Sequence, residues 1–166
     1  MKFLVPVLTF CLFLQTSFQA VAASDSPFSL QGQVSVTRVS DGDSLRSGRL
    51  KIRLHGIDAP ELRQNCIAAT GASWPCGKAA RDAMVEIATK APLRCVLMDV
   101  DRYGRLIMRC HAGTVDIAEH LVARGLALAY RQYSMDYVAT EATARENARG
   151  LWAGSFEAPW DWRRKK

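Results

Sequence analysis

Three carboxylates lie at positions where acidic side chains rarely serve folding. Asp43 ends a tight turn that starts at Asp41, Asp58 ends a strand predicted to be buried, and Glu61 follows Pro60. Two such side chains, with backbone carbonyls and water, make the oxygen donor set that calcium or magnesium prefers. Taken singly, Asp43 and Asp58 are better explained as a turn residue and a strand terminator.

Two arginines change that balance. Arg53 precedes Asp58 on the same predicted strand, and Arg105 closes the turn of a predicted hairpin. A guanidinium can bind two phosphate oxygens at once and does not lose its proton at working pH. Carboxylates that hold a metal, another that acts as a base and two arginines are the groups that phosphodiester hydrolysis requires. The alternative for each arginine is a solvated surface charge.

The strand that carries Arg53 poses a geometric difficulty. Apolar and polar residues alternate from Leu50 to Ile57, which is typical of a half-buried strand. Strict alternation would place Arg53 and Asp58 on opposite faces of the sheet. A bulge or bend near Gly56 would bring them to one side, and glycine in a strand often marks such an irregularity. A shared site therefore requires a break in this strand.

The remaining pattern predicts the elements around these residues. Further strands are expected over 33–39, 93–100 and 106–111, and helices over 78–90, 116–124 and 140–149. Asp116 is a plausible N-cap, and Gly125 and Gly150 end their helices. Residues 63–77 are expected to form a surface loop, and Arg163 to Lys166 a frayed basic end. This order indicates the α+β class with a small, strongly bent sheet.

The N-terminal residues have the features of a secretory signal peptide. Lys2 precedes an apolar run from Phe3 to Leu14, and small residues follow at Ala22 and Ala23. The predicted organisation is a signal peptide over 1–23 and a single domain over 24–166, exported to the periplasm or the medium. The alternative is an uncleaved anchor helix. No apolar run reaches the roughly 18 residues of a membrane span, so none is expected after cleavage.

The cysteine content agrees with export, and the net charge indicates the kind of partner. Four cysteines remain after residue 23, which suggests two disulfides. Cys95 and Cys110 are nearly equidistant from the predicted hairpin turn and would face each other. That pairing leaves Cys66 with Cys76; the rival zinc site lacks a Cys-x-x-Cys pair. The formal net charge of +6 favours polyanionic partners, nucleic acid among them.

Five motifs in order resemble the staphylococcal nuclease (thermonuclease) family. They occupy Asp41–Ser44, Ile52–Glu61, Asp101–Arg105, Leu121–Ala127 and Gly150–Trp152. The closing segment Pro159–Arg163 is similar to exported bacterial members. The resemblance extends from Val34 to Arg163, and it implies an OB-fold, a five-stranded β-barrel with three α-helices.

The resemblance also implies a catalytic site. By position, Asp43 and Asp58 would bind Ca²⁺ through their side chains and Ala59 through its carbonyl. The expected catalytic residues are Glu61 as the general base and the phosphate-binding arginines, Arg53 and Arg105.

The resemblance further implies contacts with the substrate. Tyr130 and Tyr133 lie near the residues with which the family stacks a nucleoside, although packing at the rim explains them equally well. The first hypothesis is thus an exported, monomeric, calcium-dependent endonuclease acting on DNA and RNA with little base preference. A second is a non-catalytic OB-fold module that binds nucleic acid or another polyanion. A third is a different metal-assisted phosphodiesterase.

Overall fold

The structure is a computed structural model that describes residues 31–165; the predicted signal peptide over 1–23 lies outside them. The strands are β1 Gln31–Val34, β2 Arg38–Val39, β3 Ser44–Ser47, β4 Leu50–Leu54, β5 Ile57–Asp58, β6 Cys66–Ile67, β7 Ser73–Trp74, β8 Leu93–Val100, β9 Leu106–Ala112, β10 Val115–Asp116 and β11 Leu128–Ala129. The α-helices are α1 Cys76–Ala88, α2 Ile117–Ala123, α3 Val138–Glu146 and α4 Pro159–Arg164. A single 3₁₀ turn covers Gly150–Ala153.

One bent sheet, with strands in the order β1-β8-β9-β4-β3-β2, forms the body of the domain. Its neighbours run antiparallel except β4 and β9, which are parallel. The small strand β10 also pairs with β9, while β11 pairs with β5 and β6 with β7. The α+β class predicted from the element order is confirmed.

Several element boundaries differ from the predictions. The strand expected over 33–39 is divided into β1 and β2, and the helix expected from residue 78 begins at Cys76. Residues 31–165 also contain more and shorter strands than the five expected, and four α-helices instead of three. The additional helix is α4, which starts at Pro159, where the fixed φ of proline favours the first helical turn.

The hydrophobic core lies between the sheet and two helices. From α1, the buried side chains are Ala80, Ala83, Met84 and Ala88; from α2, they are Ile117, Ala118, Leu121 and Val122. Helix α2 begins as predicted, because the Asp116 carboxylate accepts the N–H groups of Ala118 and Glu119. Within the described range, no helix is long and apolar enough to cross a membrane.

Both predicted disulfides are present. Cys95 and Cys110 are directly opposite each other in the β8–β9 register, with Cα atoms 4.1 Å apart. Cys66 and Cys76, with Cα atoms 5.7 Å apart, close the segment that contains β6 and β7. The surface loop expected over 63–77 is therefore only partly correct, because both of these cysteines and Gln64 are buried.

Removing the β8–β9 disulfide should destabilise the fold. The double variant Cys95→Ala, Cys110→Ala is expected to lose about 3 kcal/mol of unfolding free energy, because the bond closes a loop of about 15 residues. Urea denaturation followed by tryptophan fluorescence measures this loss. An unchanged midpoint in the double variant would show that the unfolded chain gains little freedom from its removal.

Candidate active site

The turn before β3 fixes the first acidic side chain. Asp43 is buried, and its N–H donates to Asp41 Oδ1 at 3.1 Å. Its carboxylate accepts the hydroxyl of Ser44 at 2.7 Å and the backbone N–H of Ala59 at 3.2 Å. These bonds hold the Asp43 carboxylate against the segment that carries Asp58.

A turn at Gly56 resolves the geometric difficulty of the preceding strand. β4 ends at Leu54, the chain turns through Gly56 at φ 74°, and Asp58 lies in the separate strand β5. A positive φ of this size favours glycine. The break in alternation brings Arg53 Nη2 to 2.5 Å from Asp58 Oδ1. The expected irregularity at Gly56 is confirmed, as a turn instead of a bulge.

The guanidinium of Arg53 bridges the two buried carboxylates. Besides its bond to Asp58, Arg53 donates from Nη1 to Asp43 Oδ1 at 3.2 Å, and its Nη2 lies 2.9 Å from Asp43 Oδ2. Burial alone would raise the pKa of Asp43, but the charge of Arg53 and the bond from Ser44 hold that pKa below its usual value. Burial raises the pKa of Asp58 despite its two arginine partners, Arg53 and Arg163.

The second of these partners was missed by sequence reasoning. Arg163, from α4, donates from Nη1 to Asp58 Oδ1 at 3.0 Å and to Glu61 Oε1 at 2.8 Å. Its Nη2 donates to Asp58 Oδ2 at 2.7 Å. The prediction of a frayed basic end is therefore wrong at this position. The aromatic residues Trp160 and Trp162 just before it were the available signal that the segment packs against the body.

Two contacts hold α4 and its preceding segment in place. Trp160 stacks on Tyr130, with ring centroids 5.4 Å apart and an interplanar angle of 4°. The buried Gln64 donates from Nε2 to the carbonyl of Glu157 at 2.7 Å, and its Oε1 accepts the N–H of Glu61 at 3.2 Å. Gln64, also missed from the sequence, thus ties the Glu61 backbone to the C-terminal segment.

Arg105 lines the same groove, a depression of about 1150 Å³ that Arg53, Glu61 and Arg163 also line. Its Nε donates to Asp101 Oδ2 at 2.6 Å, and Asp101 Oδ1 accepts the N–H groups of Tyr103 and Arg105. Asp101 therefore orients the Arg105 side chain, whereas Arg53 and Arg163 bond to Asp58.

The two predicted stacking residues lie together on the rim of this groove. The rings of Tyr130 and Tyr133 meet edge to face, with centroids 4.9 Å apart. Tyr133 is 68% exposed, whereas Trp160 covers one face of Tyr130. Stacking on a nucleoside stays a prediction, and Tyr133 has the more accessible ring.

The donor set suits a hard cation, although no preformed cluster is visible. Across residues 31–165, no three or more His, Cys, Asp or Glu side chains are grouped so as to hold a metal, and Arg53 lies between Asp43 and Asp58. The two carboxylates and the backbone at Ala59 nevertheless offer only oxygen donors. Burial, followed by the charge of the neighbouring Asp43, raises the pKa of Asp41 to about 7.

Gly42 is the position at which a small change should disturb the site. A Cβ at residue 42 would lie 2.7 Å from the Cβ atoms of both Ala59 and Ala80. Gly42→Ala is therefore expected to displace the turn before Asp43, to lower stability by about 1–3 kcal/mol and to reduce turnover by about tenfold or more. Gly32→Ala, which meets nothing within 4 Å, is the matched control for both measurements. Equal behaviour of the two variants would contradict this account.

Comparison with known proteins agrees with this geometry. The profile of the family described as "Staphylococcal nuclease homologue" matches residues 51–154. A rice protein named "Probable staphylococcal-like nuclease CAN1" is 32% identical over 75% of this chain and 36% of its own length. A Haemophilus influenzae protein named "Uncharacterized endonuclease" is 30% identical over 79% of this chain and 72% of its own.

Further comparisons show how much of each relative's length the match covers. The Rhizobium meliloti protein named "Succinoglycan biosynthesis protein ExoI" is 32% identical over 76% of this chain and 66% of its own length. The chain spans about a third of the length of the rice relatives. The family match, which includes Arg53, Asp58, Glu61 and Arg105, covers more than half of the sequence, and the chain belongs to the staphylococcal nuclease homologue family.

Proposed function

We propose that this protein is an exported, calcium-dependent endonuclease that hydrolyses phosphodiester bonds of DNA and RNA with little base preference. The observation that carries the proposal is the bridging position of Arg53, 2.5 Å from Asp58 and 2.9 Å from Asp43, on the groove that Glu61 and Arg105 share. The nuclease names of several relatives support it. We also infer that the bent sheet is the OB-fold barrel of the family.

Asp43, Asp58 and the carbonyl of Ala59 would hold the calcium ion. They supply only oxygen donors, and two of them are carboxylates that burial leaves without much water. Calcium prefers such donors, whereas zinc prefers thiolate and imidazole. When bound, the ion would polarise the phosphate and neutralise part of its negative charge.

The protein's own side chains divide the remaining work. Glu61 is the proposed base: its carboxylate faces the groove, its side chain is 30% exposed, and Gln64 fixes its backbone. It would accept the proton of the attacking water. Arg53 and Arg105 would neutralise the charge that develops on the phosphate oxygens, and carboxylates already orient both guanidinium groups.

The lining of the groove supports a single-stranded nucleic acid as substrate. Its charged and aromatic side chains include Lys51, Arg102, Tyr103 and Tyr133. Basic side chains attract the phosphate groups of a strand whatever its base sequence, and aromatic rings can stack on any base. Such contacts bind DNA and RNA strands without strong base preference.

One observation favours the non-catalytic alternative. Arg163 already neutralises Asp58 and Glu61 within the protein, as expected if these carboxylates have only a structural role. In that case the groove would bind nucleic acid without cleaving it. The presence of all five proposed site residues, Asp43, Arg53, Asp58, Glu61 and Arg105, favours catalysis.

A direct assay separates the two functions. Purified protein is incubated with labelled single-stranded DNA or RNA, in calcium chloride or in a calcium chelator, and the products are separated by size. The nuclease cleaves both polymers in calcium and neither in chelator. Binding of intact strands in calcium would identify the non-catalytic module.

Export and oligomeric state need their own measurements. N-terminal sequencing of protein recovered from the periplasm and from the medium should find a mature chain that starts near residue 24. Size-exclusion chromatography should give a monomer. A full-length chain retained in the cell membrane would instead support the uncleaved anchor.

A further inference from the structure

We propose that Arg163 is a third guanidinium of the active site and exchanges partners during the reaction cycle. It is the counter-ion of Asp58 and Glu61 in the free protein, and it binds the substrate phosphate once a divalent cation occupies the site. This inference rests on the proposed function and assigns a role to a residue of α4 that lies outside the predicted site.

The contacts of Asp58 show why a cation and Arg163 compete. Both oxygens of this fully buried carboxylate are bonded: Oδ1 to Arg53 and Arg163, and Oδ2 to Arg163 alone. A cation that coordinates Asp58 must share oxygens with a guanidinium at 2.7–3.0 Å. A cation and a guanidinium that bind the same carboxylate oxygens would be close neighbours, and two positive charges repel strongly where little water screens them. Arg163 therefore weakens cation binding, and a bound cation weakens the Arg163–Asp58 pair.

The released guanidinium would remain in the groove. The Arg163 side chain is 36% exposed and lines the same groove as Arg53 and Arg105. Helix α4 would not need to move, because the stacking of Trp160 on Tyr130 anchors it and the long arginine side chain has its own rotatable bonds. A guanidinium fork matches two phosphate oxygens, so a phosphate in the groove offers Arg163 a partner in place of the carboxylates.

Neighbouring basic residues of the same segment have other partners. Arg164 pairs with Asp161, and Lys165 lies 2.6 Å from Glu157. Arg163 alone among residues 163–165 bonds to the acidic cluster, and it bonds to both Asp58 and Glu61. The role is thus specific to this position and does not follow from the general basic charge of the C-terminal segment.

Calorimetric titration of the purified protein tests the exchange. Arg163→Ala and the unmodified protein are titrated first with calcium chloride alone, and then with adenosine 5′-monophosphate in saturating calcium. We expect opposite changes in Arg163→Ala: the Kd for calcium falls by about tenfold or more, and the Kd for the nucleotide rises by about tenfold or more. Arg163→Lys keeps the charge without the fork, so its calcium Kd should stay near that of the unmodified protein while nucleotide binding weakens.

Opposite changes distinguish this role from a structural one. If Arg163 only secures α4, Arg163→Ala raises the Kd values of both ligands or changes neither. Either result overturns the proposal. Arg94→Ala removes the same charge from an exposed position on β8 outside the groove, and it should change neither constant. Circular dichroism melts of each variant verify folding.

These titrations, together with the cleavage assay on the unmodified protein, separate this inference from the function on which it rests. An unmodified protein that cleaves DNA in calcium, with parallel changes in the Arg163 variants, overturns the role of Arg163 alone. An unmodified protein that neither binds calcium nor cleaves overturns the proposed function, and the exchange with it.

Discussion

Arg53→Ala is expected to reduce turnover by about 10²- to 10³-fold and to lower the free energy of unfolding by about 3–5 kcal/mol. The loss of activity follows from removing a cation that is fixed beside the reacting phosphate. The loss of stability has a separate cause: Asp43 and Asp58 are 4% and 0% exposed, and Arg53 pairs with both. Without it, buried negative charge is left poorly compensated.

Two measurements on the purified variant check this result. Initial rates on single-stranded DNA at saturating substrate give turnover, and urea denaturation gives stability. Arg53→Lys is the matched variant, because it keeps a positive charge but cannot bond to both carboxylates as a planar fork does. It should recover part of the stability and little of the turnover. Arg53→Ala with the activity of the unmodified protein would remove Arg53 from the mechanism.

Arg105→Ala is expected to produce a similar loss of turnover, about 10²- to 10³-fold, with almost no loss of stability. Arg105 lies at a partly exposed hairpin turn, and Asp101 still accepts the N–H groups of residues 103 and 105 after the side chain is removed. The turn should therefore keep its shape. Surface ion pairs of this kind contribute about 0–1 kcal/mol.

A control variant separates a catalytic role of Arg105 from a structural one. Rates and denaturation curves for Arg105→Ala are compared with those for Arg94→Ala, which removes an exposed charge outside the groove. If Arg105→Ala loses several kcal/mol, Arg105 is structural; if its turnover equals that of the control, it has no catalytic role.

Local patterns predicted much of the fold. The apolar periodicity, the Asp116 cap and the turn at Asp101–Arg105 are short-range features, and they correctly indicated α2 and the β8–β9 hairpin. The register of that hairpin then followed from the turn, and with it the Cys95–Cys110 pair. The close pairing of Arg53 with Asp58 required one additional inference, a break at Gly56, because an uninterrupted strand would have separated them.

The missed residues depend on contacts between distant segments. Arg163 and Asp58 are 105 positions apart, and Gln64 and Glu157 are 93 apart. A helix of 6 residues is too short to produce a periodic signal, and isolated helices of this length are not stable without tertiary packing. The stacking of Trp160 on Tyr130 supplies that packing. Sequence pattern alone could not reveal which body residues would receive the C-terminal segment.

The segment from residue 62 to residue 77 has a consequence for protein engineering. Exposed loops usually accept changes in length, but here Ile67 bridges to Ser155, Gln64 bonds to Glu157, and Cys66 is cross-linked to Cys76. An insertion near either end would shift the backbone of Glu61. The exposed tip at residues 69–72 takes no part in these three contacts and precedes β7, so it is the place to attach a fluorescent label or a peptide epitope while preserving the catalytic geometry.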